Sequence, residues 1–192
     1  MSGVTENTVR QFIAEVSEQP HAMAGAVIAA SAAQAVALGA ACMQISLESR
    51  DEVLDAVDVS ARIQQITAIK SGLIEWCDRD AVAIAEFVAL RAAGDELKGQ
   101  QLLCDAPAEV CRLCLEAATM LQNFRPLVSA RVQDDLEMSI SLLAGTARAA
   151  LLLLDSNLRI WPEEVLLKKY EPVLVQQEAQ LGQLSPVPRI RG

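Results

Sequence analysis

The sequence predicts an all-α fold: a bundle of long helices around a central small-residue helix. One helical domain spans residues 1–184, and residues 185–192 form a flexible tail. Three observations predict this. Residues 21–47, HAMAGAVIAASAAQAVALGAACMQISL, are almost entirely Ala, Gly, Val, Ile, Leu, Met and Cys. Alanine is the best intrinsic helix former, and a helix apolar on all sides is expected to be buried on all sides. Hydrophobic residues make up 52% of the chain but aromatics only 3%, which suits an aliphatic helical core better than a sheet. No segment alternates with the period of a strand, and the length of 192 residues is that of one domain.

The elements follow in order. Thr8 and Gln11 form a capping box, and Val9, Phe12, Ile13 and Val16 then recur at helical spacing up to Gln19-Pro20. The small-residue helix comes next. Ser49 with Glu52 is a second candidate box, opening a long helix with Val53, Val57, Ile63, Ile66, Ile69, Leu73 and Trp76 as apolar positions. It continues through Asp80 to Leu90, and Gly94 stops it. Asp95 to Gln101 reads as a loop or frayed turn, and Asp105 as the cap of a helix beginning near Pro107. Arg125-Pro126 breaks that helix, and another runs from about Ala130 to Leu158. The last starts at Pro162-Glu-Glu, is kinked or split by Pro172 and ends at Gly182.

Composition excludes several functions. The net charge is −9 and no Lys/Arg run occurs, so nucleic acid binding has no electrostatic footprint. A membrane span is the rival reading of residues 21–47, since roughly 20 apolar residues cross a bilayer. Against it, no Trp or Tyr flanks the stretch and Gln34 falls near its middle. No membrane partner is expected. A signal peptide is not expected either, because a polar helical segment, not a basic region, comes first. The five cysteines are odd in number and point to reduced thiols in a cytoplasm. Cys111 and Cys114 form a C-x-x-C without a second pair, and His21 is the single histidine, so no metal site is expected.

Nucleotide loops, nucleophile elbows and zinc-protease motifs are absent from the sequence. Carboxylates remain: Asp78 and Asp80, and the cluster Asp134, Asp135 and Glu137. Neighbours on a helix point about 100° apart, so at most one of Asp134 and Asp135 faces a cleft. The plain expectation is solvated acids: the first pair at an exposed break in a long helix, the second in an early helical turn.

The order of the pieces TVRQFIAEV (8–16), AVIAASAAQAVALGAACM (26–43), CDRDAVAIAEF (77–87), DAPAEVCRLCLE (105–116) and QDDLEMSISLLAGTARAALLLLDSNL (133–158) resembles the cyclodeaminase/cyclohydrolase family of folate enzymes. The resemblance implies a helical homodimer with a tetrahydrofolate derivative as ligand and no further cofactor. Its chemistry is addition to the N–C–N carbon of a reduced folate, then loss of ammonia or of a ring nitrogen. It also implies Asp135 as the catalytic carboxylate and Gly25, Ala26, Asp80 and Asn157 as substrate-binding positions. The chain departs from the family where a glycine-rich P-G-G-G-S-type loop opens the small-residue helix: here stand Ala22, Met23, Ala24, Gly25 and Ala26. Leu136-Glu137 likewise stands where a small residue and glycine are usual. These departures motivate an alternative, a catalytically inactive member acting as a helical interaction or regulatory protein.

Overall fold

The computed structural model describes residues 3–19, 22–49 and 56–187, with backbone alone for 56 and 57. Every regular element among them is helical. The α-helices are α1 (Val9–Glu18), α2 (Ala24–Glu48), α3 (Ala56–Ala92), α4 (Glu96–Phe124), α5 (Gln133–Ile160) and α6 (Glu164–Leu181). Short 3-10 turns occupy Val4–Glu6, Arg125–Leu127 and Ala130–Val132. The Ser49/Glu52 box, Val53 and His21 fall outside the described residues, as does the side chain of Val57; Ser49 itself closes α2.

Helices α2 to α5 form an up-down-up-down four-helix ring in which α2 packs on α3 and α5, and α4 on α3 and α5. Helix α2 is therefore a corner of the bundle and not a rod wrapped on all sides. Ala29, Ala32, Val36, Gly39, Cys42 and Met43 are buried, whereas Val27, Ser31, Gln34, Ala37, Ala41 and Gln44 form an exposed stripe. The helix has no charge between Ala24 and Leu47, so composition alone could not reveal which face stays open. By length and apolar composition, Ala24–Glu48 and Ala130–Ile160 could each cross a membrane; here about half of each window is buried inside the bundle (50% and 44%).

Local signals place several ends. Thr8 and Gln11 form the reciprocal capping box on α1. The apolar positions of α1 are unevenly used: Phe12 and Val16 pack against the core, while Val9 and Ile13 are 67% and 62% exposed. Helix α3 ends at Gly94, whose φ of 84° suits glycine. There the N–H of Asp95 bonds the Leu90 carbonyl and that of Gly94 the Arg91 carbonyl, the paired bonds of a Schellman stop.

Proline reads differently in space than in sequence. Helix α4 starts at Glu96 and not near Pro107, so Asp105 and Pro107 are interior. Proline lacks the N–H that would bond the carbonyl four residues back. That carbonyl, on buried Leu103, accepts instead from Asn157 Nδ2 of α5 at 2.7 Å. Nearby, Tyr170 Oη donates to Asp105 Oδ1 at 2.7 Å, and Gln177 Nε2 donates to the Ala108 carbonyl at 2.8 Å. Pro172 neither splits nor ends α6; it and Lys168 are exposed, so water can take the freed carbonyl.

The main core is aliphatic, built from α2, α3, α4 and α5 around Phe124. A smaller cluster of Cys104, Leu154, Leu158, Leu166 and Tyr170 fixes α6. Ser185, assigned to the tail by sequence, is tied down. Its N–H donates to Gln122 Oε1 at 2.8 Å, and its carbonyl accepts from Arg125 Nη2 at 2.7 Å.

Candidate functional site

The start of α2 meets the later turns of α3. Met23, at the N-cap position, supplies no side-chain cap. The Asp80 carboxylate does so from across the bundle: its Oδ2 accepts from Ala26 N at 2.6 Å. An acid at this end also complements the helix dipole. Gly25 makes the approach feasible, because a Cβ there would collide with the Asp80 carboxylate. Gly25, Ala26 and Asp80 therefore do come together. The crevice that Gly25 and Asp80 share with Ile28, Trp76 and Pro107 has no room for a water-sized molecule.

Asp78 is a cap too, and neither aspartate of α3 is a solvated break. Its carboxylate accepts from Thr5 N at 2.9 Å and from Thr5 Oγ1 at 2.8 Å, anchoring the Val4–Glu6 turn. Asn157 lies toward the same end of the bundle as Asp80, with its amide committed to Leu103.

Asp135 sits at the other end. It is half-buried and close enough to Cys42 to help raise that thiol's pKa. From Ala26 to Cys42, α2 spans about 24 Å at about 1.5 Å per residue. One chain thus does not bring Asp135 to Gly25, Ala26, Asp80 and Asn157. Asp134 is exposed, as one of two adjacent helical residues must be. Glu137 is only 8% exposed and accepts both arms of Arg125, at 2.6 and 2.8 Å. Sequence reasoning missed this pair, because nothing local marks an ion pair that closes over the loop between two helices.

The thiols are buried small side chains of the core. All five cysteines are free and buried. Desolvation pushes the Cys111 thiol up to about 12 and that of Cys114 up to about 11, so both stay protonated. Among the described residues no cluster of three His, Cys, Asp or Glu side chains could hold a metal.

Three openings among the described residues have volume, one of them, of about 520 Å³, between Arg112, Glu116 and Gln122 of α4 and Gln180 of α6. A cleft of about 670 Å³ lies between α3, α4 and α6, lined by Trp76, Arg79, Glu109, Arg112, Lys169 and Gln177. Its charges largely answer one another: Arg112 binds Glu109, Lys169 binds Asp105, and Arg79 lies over the Trp76 ring at 4.1 Å. A smaller slot of about 280 Å³ lies between α1, α2 and α3 and is mostly apolar.

This is an all-helical bundle with an acid-capped small-residue helix and a second carboxylate at its far end. Residues 8–174 match the formiminotransferase-cyclodeaminase family, and the chain belongs to it. Among solved structures it is similar to formiminotetrahydrofolate cyclodeaminase from Thermotoga maritima, with a TM-score of 0.84 over 93% of this chain and 92% of that one. The identity is 17%, so that likeness speaks for the fold. No curated protein matches the chain.

Proposed function

We propose that this protein is a cytoplasmic, cyclodeaminase- or methenyltetrahydrofolate cyclohydrolase-like member of the family, acting as a homodimer on the N–C–N carbon of a reduced folate. The observation that carries the reading is the family match across residues 8–174. In cyclodeamination a second folate nitrogen adds to the formimino carbon and ammonia leaves, whereas in the cyclohydrolase reaction water adds to the cationic N–C–N carbon. A carboxylate takes the proton that water loses, and one C–N bond breaks as a proton reaches the leaving nitrogen. Asp135 has the chemistry for that transfer and for stabilising the cation.

The distance between Asp135 and the start of α2 supports the dimer. The exposed stripe of α2 is uncharged from Val27 to Gln44. A second copy laid antiparallel along it brings one chain's Asp135 towards the other's Gly25 and Asp80. Light scattering is expected to give twice the chain mass of 20.6 kDa, and a monomer contradicts the pairing.

One observation favours the inactive alternative: the α2 start is already occupied by Asp80, and its crevice is filled. The test follows the absorbance of 5,10-methenyltetrahydrofolate with purified protein, beside Asp135→Asn. Accelerated decay that falls at least about 100-fold in the variant supports the enzyme. Decay at the buffer rate, no ammonia from formiminotetrahydrofolate and no folate binding leave the interaction protein.

A further inference from the structure

We propose that the slot between α1, α2 and α3 holds the aminobenzoyl-carboxylate arm of the ligand, with Lys70 as its anion partner. The proposal rests on the folate reading for the identity of the whole ligand, while the slot's own chemistry specifies an aromatic carboxylate.

The walls come from Phe12 of α1, Ala30, Ala33 and Ala37 of α2, and Ile74 and Cys77 of α3. The alanines are the cause of the space: larger side chains at these positions of α2 would fill the groove beside α3. The opening of about 280 Å³ is a little below the usual range for a drug-sized ligand, the size for one flat ring and its substituents. A benzoyl ring suits such walls, since they offer dispersion contacts and ask for no hydrogen bonds.

Four polar residues line the slot, and two are committed: Thr5 donates to Asp78 and Asn7 to Glu15. The other two are Lys70 and Gln34. Lys70 is half-buried and makes no ion pair among the described residues, unlike Lys98 and Lys169. Gln34 lies on the exposed stripe of α2 that the proposed second copy covers, so Lys70 is the group left to the ligand. A mostly apolar slot with one ammonium outside any ion pair among the described residues selects an apolar body bearing a carboxylate.

Position gives the direction. Ala30 lies about 7.5 Å along α2 from Gly25, and Lys70 about 15 Å along α3 from Asp80, at about 1.5 Å per residue. A folate with its reacting end against the outer side of the α2 start, beyond the filled crevice, therefore has its arm in the slot and its carboxylates towards Lys70. The α3–α4–α6 cleft, though larger, lacks this complementarity because its cations are engaged.

p-Aminobenzoyl-L-glutamate tests the slot without the reacting end. Titrated into isotopically labelled full-length protein, it is expected to shift the amide resonances of Ala33, Ala37 and Ile74 saturably, while L-glutamate alone does not. Lys70→Met keeps the apolar stem, and loss of a charge-assisted bond should weaken binding at least about tenfold. Absence of saturable shifts at millimolar probe, or equal affinity for Lys70→Met, overturns the proposal. Binding of the probe without any folate turnover supports the slot and removes the enzyme reading. Turnover by a protein that ignores the probe does the reverse.

Discussion

Arg125→Ala is expected to lower stability by about 3–5 kcal/mol, read as the shift in a denaturant midpoint. The guanidinium makes both hydrogen bonds to Glu137 and also holds the Ser185 carbonyl. Side-chain exposures of 26% and 10% place the pair largely out of water. Removing the cation leaves a desolvated carboxylate with nothing to balance it, which is the costly way to break such a pair. Removing both charges is different, because the desolvation of both ions disappears as well. Arg125→Met combined with Glu137→Leu should lie within about 1 kcal/mol of the parent, or above it. Equal losses in the single and double variants would show that packing of the stems, not charge, is what matters there.

Asn157→Ala is expected to cost about 2 kcal/mol, because the Leu103 carbonyl is left in the core without a donor. The same substitution should cost well under about 1 kcal/mol once Pro107→Ala has restored the missing N–H. This double-mutant cycle isolates the bond, with an expected coupling of about 1–2 kcal/mol. If Asn157→Ala instead weakens folate binding and leaves the midpoint unchanged in both backgrounds, its role lies with the ligand and not with the proline.

The two variants mark where the sequence stopped being legible. Elements fixed by neighbours in the chain could be read directly: the Thr8/Gln11 box, the run of α3 through Asp80 and its stop at Gly94 all depend on groups a few residues apart. The start of α4 could not. A proline after an aspartate reads as a helix beginning, and what overrides that rule is an asparagine far along the chain. The exposed face of α2 was hidden for another reason. Alanine serves buried and open positions alike, so periodicity carries no contrast when almost every residue is small and uncharged.

The candidate site divides in the same way. Gly25, Ala26 and Asp80 were grouped through the family resemblance, and they meet, although as a helix and its cap. That Asp78 caps a separate turn was not visible, since its partner Thr5 lies in the N-terminal arm. The distance from Asp135 to the rest follows from helix length once α2 and α5 are seen to run antiparallel, with Ser139 Oγ donating to the Ala35 carbonyl at 2.7 Å.

The buried thiols have a consequence for watching this molecule move. Cys42 lies on α2, Cys77 on α3, and Cys104, Cys111 and Cys114 on α4, each protonated and shielded from solvent. An alkylating reagent reacts with thiolates, so in the folded protein each cysteine waits for its own helix to open. The chain thus carries a built-in set of clocks, one or more on three of the four bundle helices. Their relative rates report which helix lets go first, with no introduced label.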